Sequence, residues 1–569
     1  MAEKKESFTV KVTSQFFISF VFLTIVLVLG QSARSQTSFL GEEFKPMPAA
    51  AALENFRQFA HEIPSSDIKG AATQQNGRLK PLDTMAREIV LFINGRYTRW
   101  GLDSVQMYLA FILSGTGPWV EFIEMRNPEI RTQLGFLKTQ RYASVAELEA
   151  TNINARTEPL IQKQQDNAQS LTTEQKDWLE LLGQLSALRG VISGEHLIMA
   201  MDFSRLFENN KGSTEEKTRT EIATYLQSLK ANPHAASQKA RALVEYSRSQ
   251  KTPELFQHSL AKMDLEVLFN ETQIFLWAAS LYLLLGAALL YPELRNRMNR
   301  KIVSLLFIAP LALQIGGLAV RVYITRFAPI TNMYGTMIWV ALGINVFSFV
   351  LFALYGNRVI SGLMLMASGI ILFLAQSFPL ILSPDLDPIV AVLRNNFWLS
   401  THVTTITISY AAFSIAMLLG NITLVRALLG QDLSKFVPEF EKHAYRAVQL
   451  GCFLLTVGII LGGIWADYSW GRFWGWDPKE TWALIADLSF IALLHARYAG
   501  WARGFIFLAL TPVAYLMVLM AWYGVNFILA AGLHSYGFSS GGAMAVSIFV
   551  AIQLVILAAA LTKVVSKPA

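Results

Sequence analysis

From Leu268 to the C-terminus, apolar stretches of about twenty residues recur, separated by short polar connections. A helix of that length rises roughly 30 Å, the thickness of a bilayer's hydrocarbon core. No water is available there for backbone N–H and C=O groups, so each stretch must be helical. The constraint selects an all-α polytopic membrane protein. Composition agrees: 53% of the 569 residues are hydrophobic and 16% are charged. The net charge of +7 reads as basic cytoplasmic loops, with no nucleic-acid surface implied. Cys452 is the single cysteine. The chain therefore has no intrachain disulfide and no Cys-x-x-Cys pair, and thiol chemistry would need a partner's sulfur. Cys452 itself reads as a small packing residue.

The first apolar run covers 16–30 and follows the basic "MAEKKESFTVKV". No clean A-x-A site follows it, which favours an uncleaved anchor over a signal peptide. Residues 1–37 are assigned to this anchor and 38–264 to a polar, extracytoplasmic, mostly helical domain. Within the latter, Trp178, Leu181, Leu182, Leu185 and Leu188 share one helical face. Its histidines (His61, His196, His234, His258) show no metal-ligand spacing. In 265–569 nine spans are expected, at 270–291, 302–320, 334–355, 359–380, 398–426, 444–466, 480–499, 504–527 and 542–563. Lys and Arg collect in alternate connections, which places those on the cytoplasmic side. With the anchor this gives about ten transmembrane helices, the exported domain between the first and second, and both termini inside.

One outward connection stands apart: "WGRFWGWDPKETWALI", 470–485. Asp477-Pro478-Lys479-Glu480 reads as a capping box, with Asp at N-cap, Pro at N1 and Glu at N3. Interfacial Trp is common, yet Trp465, Trp470, Phe473, Trp474, Trp476 and Trp482 crowd one short segment. A flat aromatic platform suits a flat, wide ligand, and Arg472 and Lys479 suit that ligand's carboxylates. Two histidines flank the platform on the outer side. His402 lies in "WLSTHVTTITISYAAF" and His534 in "NFILAAGLHSYGF". A lone histidine at a helix end is usually an interfacial polar residue. Two on one face, beside tryptophans, form a candidate pair of iron ligands for a porphyrin.

"WGWDPKETWALI" resembles the tryptophan-rich WWD signature of the haem-handling proteins of cytochrome c maturation. "HVTTITISYAAF" and "GLHSYG" resemble the external histidine segments of one such family, the CcsA component of system II cytochrome c synthase. The resemblance covers roughly 270–563, with the three motifs in family order. "NGRLKPLDTMAREI" (76–89) resembles, more weakly, a segment upstream of CcsA in some fused CcsB–CcsA proteins. The family also has an inner haem site with histidines on two helices. His495, in "FIALLHARYAG", matches one of them. The other belongs to the CcsB part, and the expected anchor here contains no histidine. The resemblance therefore implies a separate CcsB-like subunit, with His443 as a substitute ligand of lesser weight.

What the resemblance implies for function is haem b held at the outer face for thioether attachment to a Cys-x-x-Cys-His apocytochrome c. His402, His534 and His495 would bind haem iron, and Trp470, Trp474, Trp476, Asp477, Arg472 and Lys479 would line the haem site. No catalytic base is evident, so catalysis would be orientation, as part of a holocytochrome c synthase, or haem lyase. A thiol-reductant protein is a further expected partner, and the bacterial inner (plasma) membrane the expected location, with the tryptophan loop on the periplasmic side. Three alternatives stay open: a haem exporter or delivery subunit without ligase activity, a transporter for another solute, and a scaffold for maturation factors.

Overall fold

The computed structural model describes residues 46–75, 77–167, 171–194, 213–249, 260–388, 395–529 and 543–565. The expected anchor at 16–30, His196, His258 and His534 lie outside the described residues. The chain divides into two compact units, Met1–Glu271 and Thr272–Ala569.

The described part of the first unit is mostly helical, with short antiparallel strand pairs Ala72–Gln75 with Arg78–Pro81 and Ile123–Glu124 with Tyr142–Ala143. Its core is aromatic, with Phe111 packed against Phe56 and Phe122 at 4.6 and 4.7 Å between ring centres. The helix Thr173–Ile192 buries Trp178, Leu181, Leu182, Leu185 and Leu188, the one face its spacing selects. It starts at a capping box on Thr172 and Gln175. The "NGRLKPLDTMAREI" segment forms a strand and the start of helix Leu82–Asn94. Its charges are used internally. Arg78 donates to both oxygens of the buried Glu266 at 2.6 and 2.8 Å, Thr84 donates to the same carboxylate at 2.7 Å, and Lys80 pairs with Glu88 at 2.6 Å. A buried charge is stable only when paired and hydrogen-bonded, so this motif reads as an ionic joint within the unit.

The second unit turns the usual surface inside out. Leu284, Leu305 and Phe453 are each about two-thirds exposed, while Gln314, Asn345 and Ser368 are fully buried. Eight described helices are long and apolar enough to cross a membrane: Met263–Leu290, Arg300–Thr325, Met333–Tyr355, Arg358–Ser377, Asn396–Leu428, Val437–Trp470, Phe505–Leu529 and Val546–Val564. The span expected at 480–499 is also a helix, Pro478–Tyr498. It is too polar to join those eight, because Lys479, Glu480, Asp487, His495 and Arg497 all lie on it. Asp487 is buried and accepts a hydrogen bond from Thr456 at 2.6 Å.

Polar side chains bind the first four of these helices together. Tyr282 Oη and Asn345 Nδ2 both donate to Gln314 Oε1 at 3.0 Å, Gln314 Nε2 donates to the Ile338 carbonyl, and Ser368 donates to Asn345 Oδ1 at 2.5 Å. The next two helices pack through glycines instead. Gly451, Gly458 and Gly462 on Val437–Trp470 face Phe413, Ile406 and His402 on the neighbouring helix, each so closely that a Cβ would collide. Steps of seven and four residues along one helix are met by the same steps in reverse along the other. That is an antiparallel register with small residues at the contact.

Candidate haem site

The N-terminal end of the fifth span winds wide. Leu399–Val403 is π-helical before the regular helix Thr404–Leu428, a geometry that often marks functional positions. His402 sits in this turn, half-buried. Its Nδ1 lies 2.8 Å from the Gly458 carbonyl oxygen. A carbonyl can only accept, so Nδ1 is the donor, and in the neutral ring Nε2 keeps the lone pair. The buried Trp465 indole stands edge-on to the imidazole at 5.8 Å and 67°.

Helix Val437–Trp470 ends at Gly471, which adopts a left-handed φ of 69°, the usual stop for a helix. The loop then reaches the expected capping box. Asp477 Oδ1 accepts from the Lys479 amide at 2.9 Å, and Glu480 accepts from the Asp477 amide at 3.1 Å. Glu480 does more than close the box. Its carboxylate also accepts from the Gly475 amide at 2.8 Å and pairs with Arg472 at 3.5 Å. Sequence reading missed this carboxylate as the organiser of the loop.

The aromatic surface is not the flat shelf that the sequence suggests. Trp474 and Trp476 stand at 88° with ring centres 5.8 Å apart, which suits the opposed quadrupoles of the two rings. Trp476 is 70% exposed and has a φ of 55°, so the backbone there is strained. Phe473 folds back onto Gly463, where a Cβ would meet its ring. Trp470 is half-buried at the helix end. Trp474 buries its indole nitrogen with no acceptor among the described residues. The cations are engaged within the protein, Arg472 by Glu480 and Lys479 by Asn526 Oδ1 at 2.7 Å. Asn526 belongs to Met520–Leu529, a second π-helical stretch, which leads toward His534. The structure therefore brings His402, Trp465, Trp474, Trp476, Asp477, Arg472 and Lys479 to neighbouring ends of adjoining helices. An imidazole lone pair and an unsatisfied indole N–H are a donor set that fits an iron porphyrin carrying carboxylates.

At the opposite end, His495 is exposed and its Nδ1 donates to the Ile491 carbonyl at 2.8 Å. His443 is buried, edge-on to Tyr355 at 5.3 Å, and its Nδ1 has no partner among the described residues. Arg497 joins the two helices that carry these histidines through Glu441 at 2.8 Å.

A family model described as "Cytochrome C assembly protein" matches residues 330–534. The protein NrfI of Wolinella succinogenes is 30% identical over 490 residues, covering 81% of this chain; the chain spans about half of NrfI, 53%. The cytochrome c biogenesis protein CcsA of Synechococcus elongatus is 32% identical over 262 residues, which are 37% of this chain and 79% of that protein. The chain belongs to the CcsA family of cytochrome c biogenesis proteins. CcsA of Porphyra purpurea is 27% identical over 322 residues, with 99% of its length covered. The family match at 330–534 contains His402, the tryptophan loop, His495 and His534, so each candidate ligand falls in the part shared with CcsA proteins.

Proposed function

We propose that this chain binds haem b, moves it to the outer face of the bacterial inner membrane, and presents it for thioether attachment to a Cys-x-x-Cys-His apocytochrome c. In this reading the chain has about ten transmembrane helices, domain 38–264 is exported, and the tryptophan loop faces the periplasm. His402 and His534 hold the iron; Trp474 and Trp476 pack the porphyrin; Arg472, Lys479 and Asp477 set the loop around it. The substrate's thiols add across the haem vinyl groups, with sulfur and hydrogen going to the two carbons of each double bond. Atoms and electrons balance without an oxidant. The thiols must arrive reduced, which calls for a thiol-reductant protein. His495 takes haem at the inner end, with a CcsB-like component as partner.

The observation that carries this reading is the 2.8 Å contact between His402 Nδ1 and the Gly458 carbonyl; with the carbonyl accepting, Nε2 is the nitrogen left to ligate iron. Purified protein should show a low-spin, bis-imidazole, b-type spectrum. His402→Ala and His534→Ala should each disturb it, and added imidazole should partly restore it. An unchanged spectrum in both variants would overturn the outer site. Thioether-linked product in a reconstituted system separates ligase from a haem exporter or delivery subunit. Efficient cytochrome assembly by this chain alone, in a host without maturation genes, would remove the need for a separate CcsB-like subunit.

A further inference from the structure

His402 lies against two residues that have no side chain. The Gly458 carbonyl accepts from Nδ1 at 2.8 Å. A Cβ on Gly462 would collide with His402 Cε1 and lie 2.9 Å from Nδ1 and 3.1 Å from Nε2. The imidazole edge bearing both nitrogens therefore lies along one turn of helix, between Gly458 and Gly462. We infer that these two glycines are positioning residues for His402: the carbonyl fixes its tautomer, and the missing side chain at 462 keeps space beside the nitrogen edge. The inference rests on His402 as an iron ligand and adds what holds the ring.

Two physical effects follow. A ligating imidazole whose second nitrogen donates to a carbonyl is a more basic ligand, and losing such a partner typically lowers metal affinity about 10- to 100-fold. It also favours ferric iron, so release of the hydrogen bond shifts the potential of bound haem upward. Ordinary overpacking of the helix pair would do neither. Gly451 supplies the comparison, because a Cβ there meets Phe413 on the same interface, away from His402.

The test compares Gly462→Ala, Gly451→Ala and the double variant His402→Ala/Gly462→Ala in the full chain. Gly462→Ala should lose haem about tenfold or more, convert part of the remainder from low to high spin, raise its potential, and recover low spin with imidazole. Gly451→Ala should leave the spectrum and potential of bound haem unchanged. In the His402→Ala background the methyl group at 462 meets no imidazole, so the double variant should fold and bind as His402→Ala does. A wild-type spectrum and potential in Gly462→Ala overturns the inference, as does a Gly451→Ala variant with the same spectral changes. If Gly462→Ala does not fold, a double variant that also fails makes the glycine structural and overturns it equally. His402→Ala without spectral effect instead sinks the underlying iron-ligand assignment.

Discussion

The Gln314 network in the first four helices of the membrane unit and the tryptophan-loop end of the later ones treat their polar groups differently. Between Ile274 and Ser377, Gln314, Asn345, Tyr282 and Ser368 bond to one another and to backbone. At the tryptophan-loop end, Trp474 buries an indole N–H without an acceptor among the described residues. His402 is oriented by a backbone carbonyl, and two segments wind as π-helix. Hydrocarbon offers no substitute partner for an unpaired group. The Gln314 network is sealed into the frame by its own partners; Ser361 Oγ and Trp339 Nε1 on the same helices are buried without a partner among the described residues, so the contrast is between that network and the tryptophan loop.

This contrast can be broken by mutation. Asn345→Leu strips a donor from Gln314 and an acceptor from Ser368, so it should cost about 2 kcal/mol, read as a lower melting temperature in detergent. Haem bound per folded molecule should stay constant; a parallel loss of haem would erase the division between frame and site. Glu480→Ala should cost somewhat less, about 1–2 kcal/mol, but should also lower haem retention, because three groups of the loop lose one acceptor. Trp474→Ala should alter stability little while reducing the haem-to-protein ratio several-fold, with Trp474→Phe between it and wild type, since it keeps a ring and loses only the N–H. If Trp474→Phe falls as far as Ala, the indole nitrogen matters more than the ring. The smallest effect belongs to the cap. Asp477→Ala should cost about 1 kcal/mol and Asp477→Asn a few tenths, because Asn caps nearly as well. Neither should remove haem; haem loss in Asp477→Asn with retention in Trp474→Ala would reverse the roles assigned to cap and ring.

Much of the fold was legible in the sequence because the bilayer simplifies the problem. Apolar length alone located the eight described helices that can cross a membrane, and Asp477-Pro478-Lys479-Glu480 announced its capping box through local bonds only. What was hidden depends on two segments meeting. The spacing of Gly451, Gly458 and Gly462 is visible, but its meaning needs Phe413, Ile406 and His402 on the facing helix. The perpendicular setting of Trp474 and Trp476 follows from the left-handed backbone at Trp476, which no propensity predicts for a bulky residue. Arg472 was assigned to a ligand's carboxylate because its nearest carboxylate, Glu480, was already accounted for as a cap. His443 and His495 look equivalent as letters, and only packing buries the first and exposes the second.

The antiparallel glycine register also limits how the chain can vary in length. Each residue added to or removed from a helix rotates everything beyond it by about 100°. A single insertion between His402 and Phe413, or between Gly451 and Gly462, would therefore swing the imidazole off its groove while leaving hydrophobicity almost unchanged. Residues added to the connection between Leu428 and Val437 rotate neither contact face. Indels should accordingly be neutral in the 429–436 connection and disruptive a few turns away from it, and a deletion scan across 400–465 would trace that boundary.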